Sequence, residues 1–300
     1  MNKVIILTDS TSDLSKEIID KYDIKVIPLH VVFNEESYLD GLEINAENLY
    51  KHVDEKGYLP KTSATTPTEF IECFKKYIDE GYDIFYTGIG SKISSTYQNA
   101  TIAVEEFPEN RIFLSDSANL STGIGLLVLK ACKFRDQGMS ASQIKEEIDK
   151  LVPHVRVQFV IKTFDYLFKG GRCSSLTKLF GTVLRIKPMI VVRDGTLKVG
   201  KKTVGLMKKA VASMTNIFLE DLPNVDLDNV FITDSTYAEQ SYEEIHAAFE
   251  KNDIYQKFEN VYHTNAGCVV CSHCGPGTIG ILYIMKEGLN DEKTLDQDAS

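Results

Sequence analysis

The chain has 300 residues, of which 43% are hydrophobic and 25% are charged, a composition typical of a globular protein with a large buried core. It carries 33 lysine and arginine residues against 43 aspartate and glutamate residues, so its formal net charge is -10. That charge has the wrong sign for binding along a phosphate backbone, and we expect no nucleic acid partner.

The opening residues, MNKVIILTDS, contain a short apolar run that turns polar at once, unlike a secretory signal peptide. No stretch reaches the roughly 18 apolar residues that a membrane-spanning helix needs, so no stable membrane insertion is expected. Of the six cysteines, Cys73, Cys132 and Cys173 stand alone, and the set does not resemble a disulfide framework. We therefore expect a cytoplasmic protein.

Three short apolar runs end in the same small polar signal. They begin at Val4, Ile112 and Phe231, and each leads into (T/S)DS, while a fourth run, DIFYTGIG, ends in a loop of Gly and Ser. Such runs are typical of buried strands, and Ser, Thr and Asp cap a following helix by accepting from its free amides. Alternating strands and helices predict a parallel α/β sheet, whose ligands usually bind at the carboxyl ends of the strands.

Two helices have recognisable starts. Thr66 is a predicted cap, with Pro67 at the first helical position and Glu69 completing a capping box. Ser140 and Gln143 open a second amphipathic helix in the same way. These signals predict local structure only and indicate no binding or catalytic role.

After Pro153 the pattern changes to longer strand-like segments. VRVQFVIKTFDYLFKGGRCSS and LRIKPMIVVRDGTLKVGKKT predict long strands with a hairpin turn at Asp194–Gly195, and CVVCSH and TIGILYIM predict the final strands. The predicted fold class is α/β with two domains. The predicted parts are an N-terminal parallel α/β domain at residues 1–155, a C-terminal mixed α/β domain at residues 156–290, and a polar tail at residues 291–300.

Two nucleotide-binding patterns fail on inspection. The segment Gly195–Lys202 nearly matches a phosphate-binding loop, but a lysine stands where Ser or Thr must ligate magnesium, and the context is a hairpin. Gly275, Gly277 and Gly280 fit GxGxxG, yet a strand-like run follows where a helix is required. We expect no ATP site and no cofactor.

The segment CVVCSHCGPG clusters three cysteines and a histidine. Along the predicted strand, Cys268 and Cys271 would point to opposite faces, so the favoured interpretation is buried thiols without a metal. A metal site built on Cys268, Cys271, His273 and Cys274 remains the alternative if the segment is a loop. His273 would end the strand beside glycines that let a ligand approach, which makes it a candidate binding residue.

Two predicted loops are dense in hydroxyl groups and precede helices. KTSATTPTEF carries Thr62 and Ser63, and GSKISSTYQ carries Ser94 and Ser95. Hydroxyls together with free amides at helix starts favour a carboxylate or phosphate ligand. The alternative is that each hydroxyl only caps its own helix.

Taken together, the motifs resemble those of the DegV family of bacterial fatty-acid-binding proteins, and the resemblance covers nearly the whole chain. That resemblance implies two α/β domains with a long-chain fatty acid held in a cleft between them. Some members serve as the acyl-carrier subunit of fatty acid kinase, in which a separate ATP-using subunit phosphorylates the bound carboxylate. The matching stretches are TDSTSDL, KTSATTPTEF, GIGSKISSTYQNA, SDSANLSTGIG, FDYLFKGGRCS, IKPMIVVRDG and HCGPGTIG.

Carried over by position, the resemblance implies that Thr62 and Ser94 hydrogen-bond the fatty acid carboxylate. It also implies that His273 is a further polar contact and that Arg172, in GGR, is another candidate.

The chain departs from the family pattern in two places. Cys274 stands where the family usually has Thr, which weakens a hydrogen bond. Gly205, Leu206 and Met207 replace an Arg and Thr pair that would suit docking to an anionic site. The second departure bears on the kinase partnership more than on lipid binding.

The sequence thus predicts a fatty-acid-binding carrier that presents a carboxylate to a partner kinase and is not itself an enzyme. The rival hypothesis is an enzyme that uses His273 as general base or nucleophile on a small carbonyl or phosphorylated substrate, assisted by Ser94 or Asp116. Neither a nucleophile elbow nor an acid partner near His273 is visible in the sequence to support it.

Overall fold

The computed structural model describes residues 2–173 and 186–286. Contacts divide the chain into two units. Unit 1 comprises Met1–Pro153 and the short segment Gly267–Ser272, and unit 2 comprises His154–Ala266 and the described chain from His273 onward. The predicted tail at residues 291–300 lies outside the described residues.

Unit 1 begins with a four-stranded sheet in the order β2-β1-β6-β7, in which all neighbours are parallel. A separate three-stranded antiparallel sheet has the order β4-β3-β5. The strands are β1 (Val4–Asp9), β2 (Lys25–Ile27), β3 (His30–Phe33), β4 (Glu36–Leu39), β5 (Lys61–Ser63), β6 (Asp83–Gly88) and β7 (Ile112–Asp116). The helices are α1 (Lys16–Lys21), α2 (Ala46–Lys56), α3 (Pro67–Asp79), α4 (Thr96–Val104), α5 (Thr122–Asp136) and α6 (Ala141–Leu151).

The local signals in unit 1 produce the elements that the sequence predicts. Both capping boxes form: the Thr66 hydroxyl accepts from the amide of Glu69, and the Ser140 hydroxyl accepts from the amide of Gln143. Helix α3 packs its apolar face, including the fully buried Phe70, against the parallel sheet. The parallel α/β prediction for the N-terminal half is therefore confirmed.

Unit 2 is built on one six-stranded mixed sheet in the order β10-β9-β8-β13-β11-β12, in which only β11 and β12 are parallel neighbours. The turn at Asp194 and Gly195 joins β9 to β10, as predicted. The strands are β8 (Val155–Val160), β9 (Ile186–Arg193), β10 (Thr196–Val204), β11 (Asn229–Asp234), β12 (Asn260–Asn265) and β13 (Ile279–Ile284). The helices are α7 (Asp165–Gly170), α8 (Met207–Asp221), α9 (Glu239–Lys251), α10 (Ile254–Lys257) and, across the boundary with unit 1, α11 (Cys268–Cys274).

Two predicted strands of the C-terminal half are wrong. The residues DYLFKG form α7, which ends at Gly171 in the left-handed conformation that glycine favours. CVVCSHC forms α11, although its β-branched residues favour a strand. Within residues 2–173 and 186–286, no helix is long and apolar enough to span a membrane.

Candidate functional site

The first hydroxyl segment begins on a short strand of unit 1, which holds Thr62 and Ser63, and only residues 64–66 form the predicted loop before α3. Thr62 and Ser63 belong to β5, where they pair with Val31 and His30 of β3. Thr62 is half-buried and Ser63 is exposed. The strand backbone fixes both positions, because its hydrogen bonds are made to β3, while the hydroxyls project from the sheet.

The second hydroxyl segment lies directly before α4, as predicted. The Ser94 Oγ lies 2.9 Å from Thr96 Oγ1 and accepts a hydrogen bond from the Thr96 amide at 3.3 Å. Ser95 is exposed and its side chain makes no capping bond. Ser94 thus precedes the N-cap, Ser95, and satisfies the first free amide of α4, and a role in ligand binding has to be tested separately from this bond.

The structure brings these two segments together within unit 1. The side-chain amide of Asn99, on α4, donates to the backbone oxygen of Thr65 at 2.8 Å, and the Thr65 hydroxyl donates to the backbone oxygen of Pro28 at 2.9 Å. Each segment also carries one exposed lysine, Lys61 and Lys92, a signal that the sequence analysis did not use. Hydroxyl groups and ammonium groups in neighbouring segments suit an anionic ligand.

His273 and Arg172 lie in unit 2, and both contact Gly170. His273 is on the last turn of α11, not at the end of a strand as predicted. A Cβ on Gly170 would collide with the Nδ1 of His273, so the imidazole lies directly against the end of α7. The guanidinium of the exposed Arg172 donates to the backbone oxygen of Gly170 at 2.7 Å.

The surroundings of His273 keep its imidazole neutral at neutral pH. Burial, and to a smaller extent the charge of Arg172, lower the pKa of His273 from its ordinary 6.5 to about 4. A neutral imidazole has one nitrogen that donates and one that accepts, so it can donate a hydrogen bond to a carboxylate without carrying a charge.

This lowered pKa predicts a pH dependence of stability. Between about pH 6.5 and about pH 4 the unfolded chain binds more protons at His273 than the folded chain does, so stability falls as the pH falls through that window. We expect the urea midpoint to drop less between about pH 7 and about pH 5 in His273→Gln than in the unmodified protein. An equal drop in both proteins would contradict the lowered pKa.

The rival acid–base assignment for Asp116 fits the structure poorly. Its carboxylate accepts hydrogen bonds from the amides of Ser91 and Ala118, both at 3.0 Å, and from the Ser91 hydroxyl. The two bonds from Ser91 tie the loop after β6 to the end of β7, and the bond from Ala118 closes the loop that follows β7. A carboxylate held by three donors of its own unit is a structural group.

Sequence reasoning missed two buried carboxylates that hold the start of α11. In unit 1, Asp13 accepts from the amide of Gly267 at 2.8 Å, and Asp40 accepts from the amide of Cys268 at 2.7 Å. Burial is the main cause that raises the pKa of both carboxyl groups, that of Asp13 well above its ordinary value. Asp13 stands in the TDSTSD stretch, so the signal was present, but its partner lies 254 residues away.

The predicted strand that would separate Cys268 from Cys271 is wrong, because both cysteines lie on α11. On a helix, residues three apart share a face, so Cys268 and Cys271 do not point in opposite directions. The pKa of the Cys268 thiol is raised, first by burial and then by the nearby Asp40 carboxylate, which disfavours the thiolate that binds metals. Among the described residues, no group of three His, Cys, Asp or Glu side chains is placed to hold a metal ion.

Comparison with known proteins finds one family across the described chain. Residues 3–286 match the family model of the DegV family, whose members it describes as uncharacterised proteins. A DegV domain-containing protein of Clostridium perfringens is 37% identical over 285 residues, which are 95% of this chain and 99% of that one.

Two solved structures share the fold. One, a DegV family protein of Thermus thermophilus described by its fatty acid binding, has a TM-score of 0.87 and 26% identity, and the match covers 95% of this chain and all of the other. The second, a stearic acid-binding protein of Eubacterium ventriosum, has a TM-score of 0.84 and 27% identity over 95% of this chain and 99% of that one.

Proposed function

The chain belongs to the DegV family, and we propose that it binds a long-chain fatty acid and carries it without transforming it. The observation that carries the proposal is the match over 95% of the chain to a protein described by its fatty acid binding. The neighbouring hydroxyl segments of unit 1 supply donors of the kind that a carboxylate needs.

In this proposal, Thr62 and Ser94 donate hydrogen bonds to the fatty acid carboxylate, and Ser63 and Ser95 stand beside them. A Ser or Thr hydroxyl can rotate to donate to a ligand while its oxygen still accepts from a neighbouring amide, as Ser94 does from Thr96. The bond that Ser94 accepts from the Thr96 amide is therefore compatible with binding.

His273 and Arg172 are the candidate contacts from unit 2. The neutral imidazole of His273 would donate one hydrogen bond, and Arg172 would contribute a positive charge near an anionic head group. The backbone oxygen of Gly170 already accepts one donor of the guanidinium, which leaves others for a ligand.

The carrier role follows from what a fatty acid carboxylate needs in order to react. Phosphorylating a carboxylate requires ATP, and the near-match to a phosphate-binding loop at Gly195–Lys202 lies in the β9–β10 hairpin, where no helix start faces a phosphate. We therefore propose that a separate kinase subunit supplies this chemistry in the cytoplasm.

The kinase proposal predicts where acyl phosphate forms. We expect no acyl phosphate when the purified, fatty-acid-loaded protein is incubated with ATP and magnesium, and formation once a fatty acid kinase subunit is added. Trapping the product with hydroxylamine and following ADP release measure both. Product formed by this chain alone would contradict the carrier role, and none in the presence of the kinase would contradict the partnership while leaving lipid binding intact.

Mass spectrometry of an organic extract tests the binding function most directly. The purified protein should release about one fatty acid per chain, and delipidated protein should take up one equivalent of added stearate. A denatured sample is the control for lipid that is only adsorbed. If the native extract contains no more fatty acid than that control and stearate is not taken up, the proposal is wrong.

A further inference from the structure

The two edge strands of the unit 2 sheet differ in how they are protected. Strands β10 and β12 lie at the two ends of the strand order, so within the described chain each of them pairs with one strand only. An open edge presents unpaired amides and carbonyls to any other extended chain, and natural proteins block it with lysines, proline or a bulge. Strand β10 has such protection, because it carries Lys198, Lys201 and Lys202 and its register shifts between Val199 and Lys202.

Strand β12 has none of these devices. Its sequence, NVYHTN, contains no Lys, Arg, Asp, Glu or Pro. All six residues pair with β11 in one unbroken parallel register, from Asn260 opposite Asn229 to Asn265 opposite Asp234. Six residues is a usual strand length, so the edge is not shortened either. Strand β12 is therefore an unprotected edge that is open to pairing with another strand.

The outward-facing residues of β12 can be identified from its hydrogen bonds. The amide of Asn260, the first residue of the strand, donates to the backbone oxygen of Asp228 at 2.9 Å, and the amide of Ala266, six residues on, also donates towards β11. Alternate residues of a parallel strand face the same neighbour, so the even-numbered residues of β12 face β11. The residues whose amides and carbonyls face away from the sheet are Val261, His263 and Asn265.

Side chains hold this edge in its extended shape. The Nε2 of His263 lies 2.7 Å from one oxygen of the buried Asp234 carboxylate, and the side-chain amide of Asn265 donates to the other oxygen at 3.0 Å. The imidazole also stacks on the ring of Tyr242, on α9, with the ring centres 3.8 Å apart. Because the fold already fixes these residues, they lose little conformational entropy when another strand pairs with them.

We propose that β12 pairs with β12 of a second copy of this chain, antiparallel about a twofold axis, and so joins the two unit 2 sheets. In the register that places His263 opposite its own copy, Val261 lies opposite Asn265 of the second copy. All three outward-facing residues of each chain then exchange hydrogen bonds. A shift of this register leaves at least one of the three unpaired. This interaction surface goes beyond fatty acid binding and does not depend on it.

Charge and symmetry favour a second copy as the partner. Each copy has a net charge of -10, and a strand without charged residues lets two copies meet with no like charges directly opposite each other. Pairing β12 with β10 of a further copy would bring it against lysines and a shifted register, and would build an open-ended chain. The twofold contact closes on itself and stops at a dimer.

Sedimentation velocity of the full-length protein tests the proposal. One strand edge buries less than the roughly 1,600 Å² of a standard interface, so we expect a reversible dimer with a dissociation constant above about 1 μM. The fraction of dimer should rise between about 1 μM and about 300 μM protein. Val261→Lys should weaken dimerisation about tenfold, because the twofold axis places the new charge at two positions of the dimer.

Thr203→Lys is the matched control for Val261→Lys. Thr203 is also a half-buried, β-branched residue on an edge strand of this sheet, but it lies on β10. This variant should dimerise as the unmodified protein does. The urea midpoints of both variants show whether each remains folded.

A disulfide trap tests the register and does not rely on Val261→Lys. Opposite residues that exchange both hydrogen bonds have Cα atoms about 5.5 Å apart, which is within the range of a disulfide. His263→Cys should therefore form a covalent dimer when oxidised glutathione is added. Thr203→Cys should stay monomeric under the same conditions, as should the unmodified protein with its own six cysteines.

The proposal is overturned if the protein remains a monomer up to about 300 μM, or if Thr203→Lys weakens the dimer as much as Val261→Lys does. Equal crosslinking of His263→Cys and Thr203→Cys would show random collision and would also overturn it. A dimer that Val261→Lys does not weaken and His263→Cys does not trap would lie elsewhere on the chain. Growth beyond a dimer with rising concentration would contradict the twofold contact.

Discussion

Replacing Ser94 by alanine is expected to weaken fatty acid binding roughly 10- to 150-fold. A hydrogen bond to a charged group contributes about 1.5 to 3 kcal/mol, and the variant removes one such donor. Thr62→Val should have an effect of similar size, because valine keeps the branched shape that suits β5 and removes only the hydroxyl. Dissociation constants for stearate, measured by titration calorimetry on delipidated protein, give both values.

The control for Ser94→Ala has to separate binding from the stability of the helix start. Ser94 accepts from the amide of Thr96, the first residue of α4, so alanine also removes a local hydrogen bond that contributes about 1 kcal/mol to stability. Ser140→Ala removes a serine–amide bond at the start of α6, also in unit 1, and should lower the urea midpoint while leaving the stearate affinity unchanged. If Ser94→Ala behaves as Ser140→Ala does, Ser94 only stabilises the helix start and the carboxylate is bound elsewhere.

The features that sequence analysis predicted correctly are those that depend on neighbours in the chain. The capping boxes at Thr66 and Ser140 form because donor and acceptor are three residues apart. The Asp194–Gly195 turn forms because both residues tolerate a positive φ, 52° and 73°. Short-range rules hold wherever tertiary contacts agree with them.

Helix α11 was missed because its determinants are distant in sequence. Its β-branched residues favour a strand, but Asp13 and Asp40 accept from the amides that open the helix, and these carboxylates are 254 and 228 residues away. A Cβ on Gly267 would come within 3.3 Å of both carboxylates, so glycine permits this close approach. Nothing in the local sequence CVVCSHC indicates that two buried acids will be there.

The candidate site shows the same division. The hydroxyl segments were identified from their composition. Their proximity is visible only in the structure, where Asn99 donates to the backbone oxygen of Thr65, 34 residues away. His273 is predicted at the end of a strand and instead lies on a helix against Gly170, where burial and the charge of Arg172 lower its pKa. The sequence indicated which residues to consider, whereas their protonation states and their neighbours could only be read from the folded structure.

Shortening the ligand from 18 to 14 carbons is expected to weaken binding up to about 150-fold. Each methylene that leaves water contributes up to about 0.8 kcal/mol, so four of them contribute up to about 3 kcal/mol, comparable with one lost head-group bond. A protein that held only the carboxylate would bind decanoate and stearate almost equally. The measurement is a series of dissociation constants for saturated acids of about 10 to 18 carbons, kept below their aggregation limits.

The same series in Ser94→Ala separates the two parts of the ligand. The head-group bond and the distal methylenes have no shared contacts in the proposed complex, so their free energies should add. Plotted against chain length, the logarithm of affinity should therefore keep its slope in Ser94→Ala and shift by a constant amount. A flat series in the unmodified protein would show that the tail stays in water, and fatty acid binding would be the wrong function. If affinity depends steeply on chain length but neither Ser94→Ala nor Thr62→Val shifts it, the protein binds fatty acid but its carboxylate does not lie at the hydroxyl segments. Stearate methyl ester keeps the tail and loses the charge that both hydroxyls bind. If Thr62 and Ser94 mark the carboxylate site, the two substitutions should weaken binding of the ester less than they weaken binding of stearate.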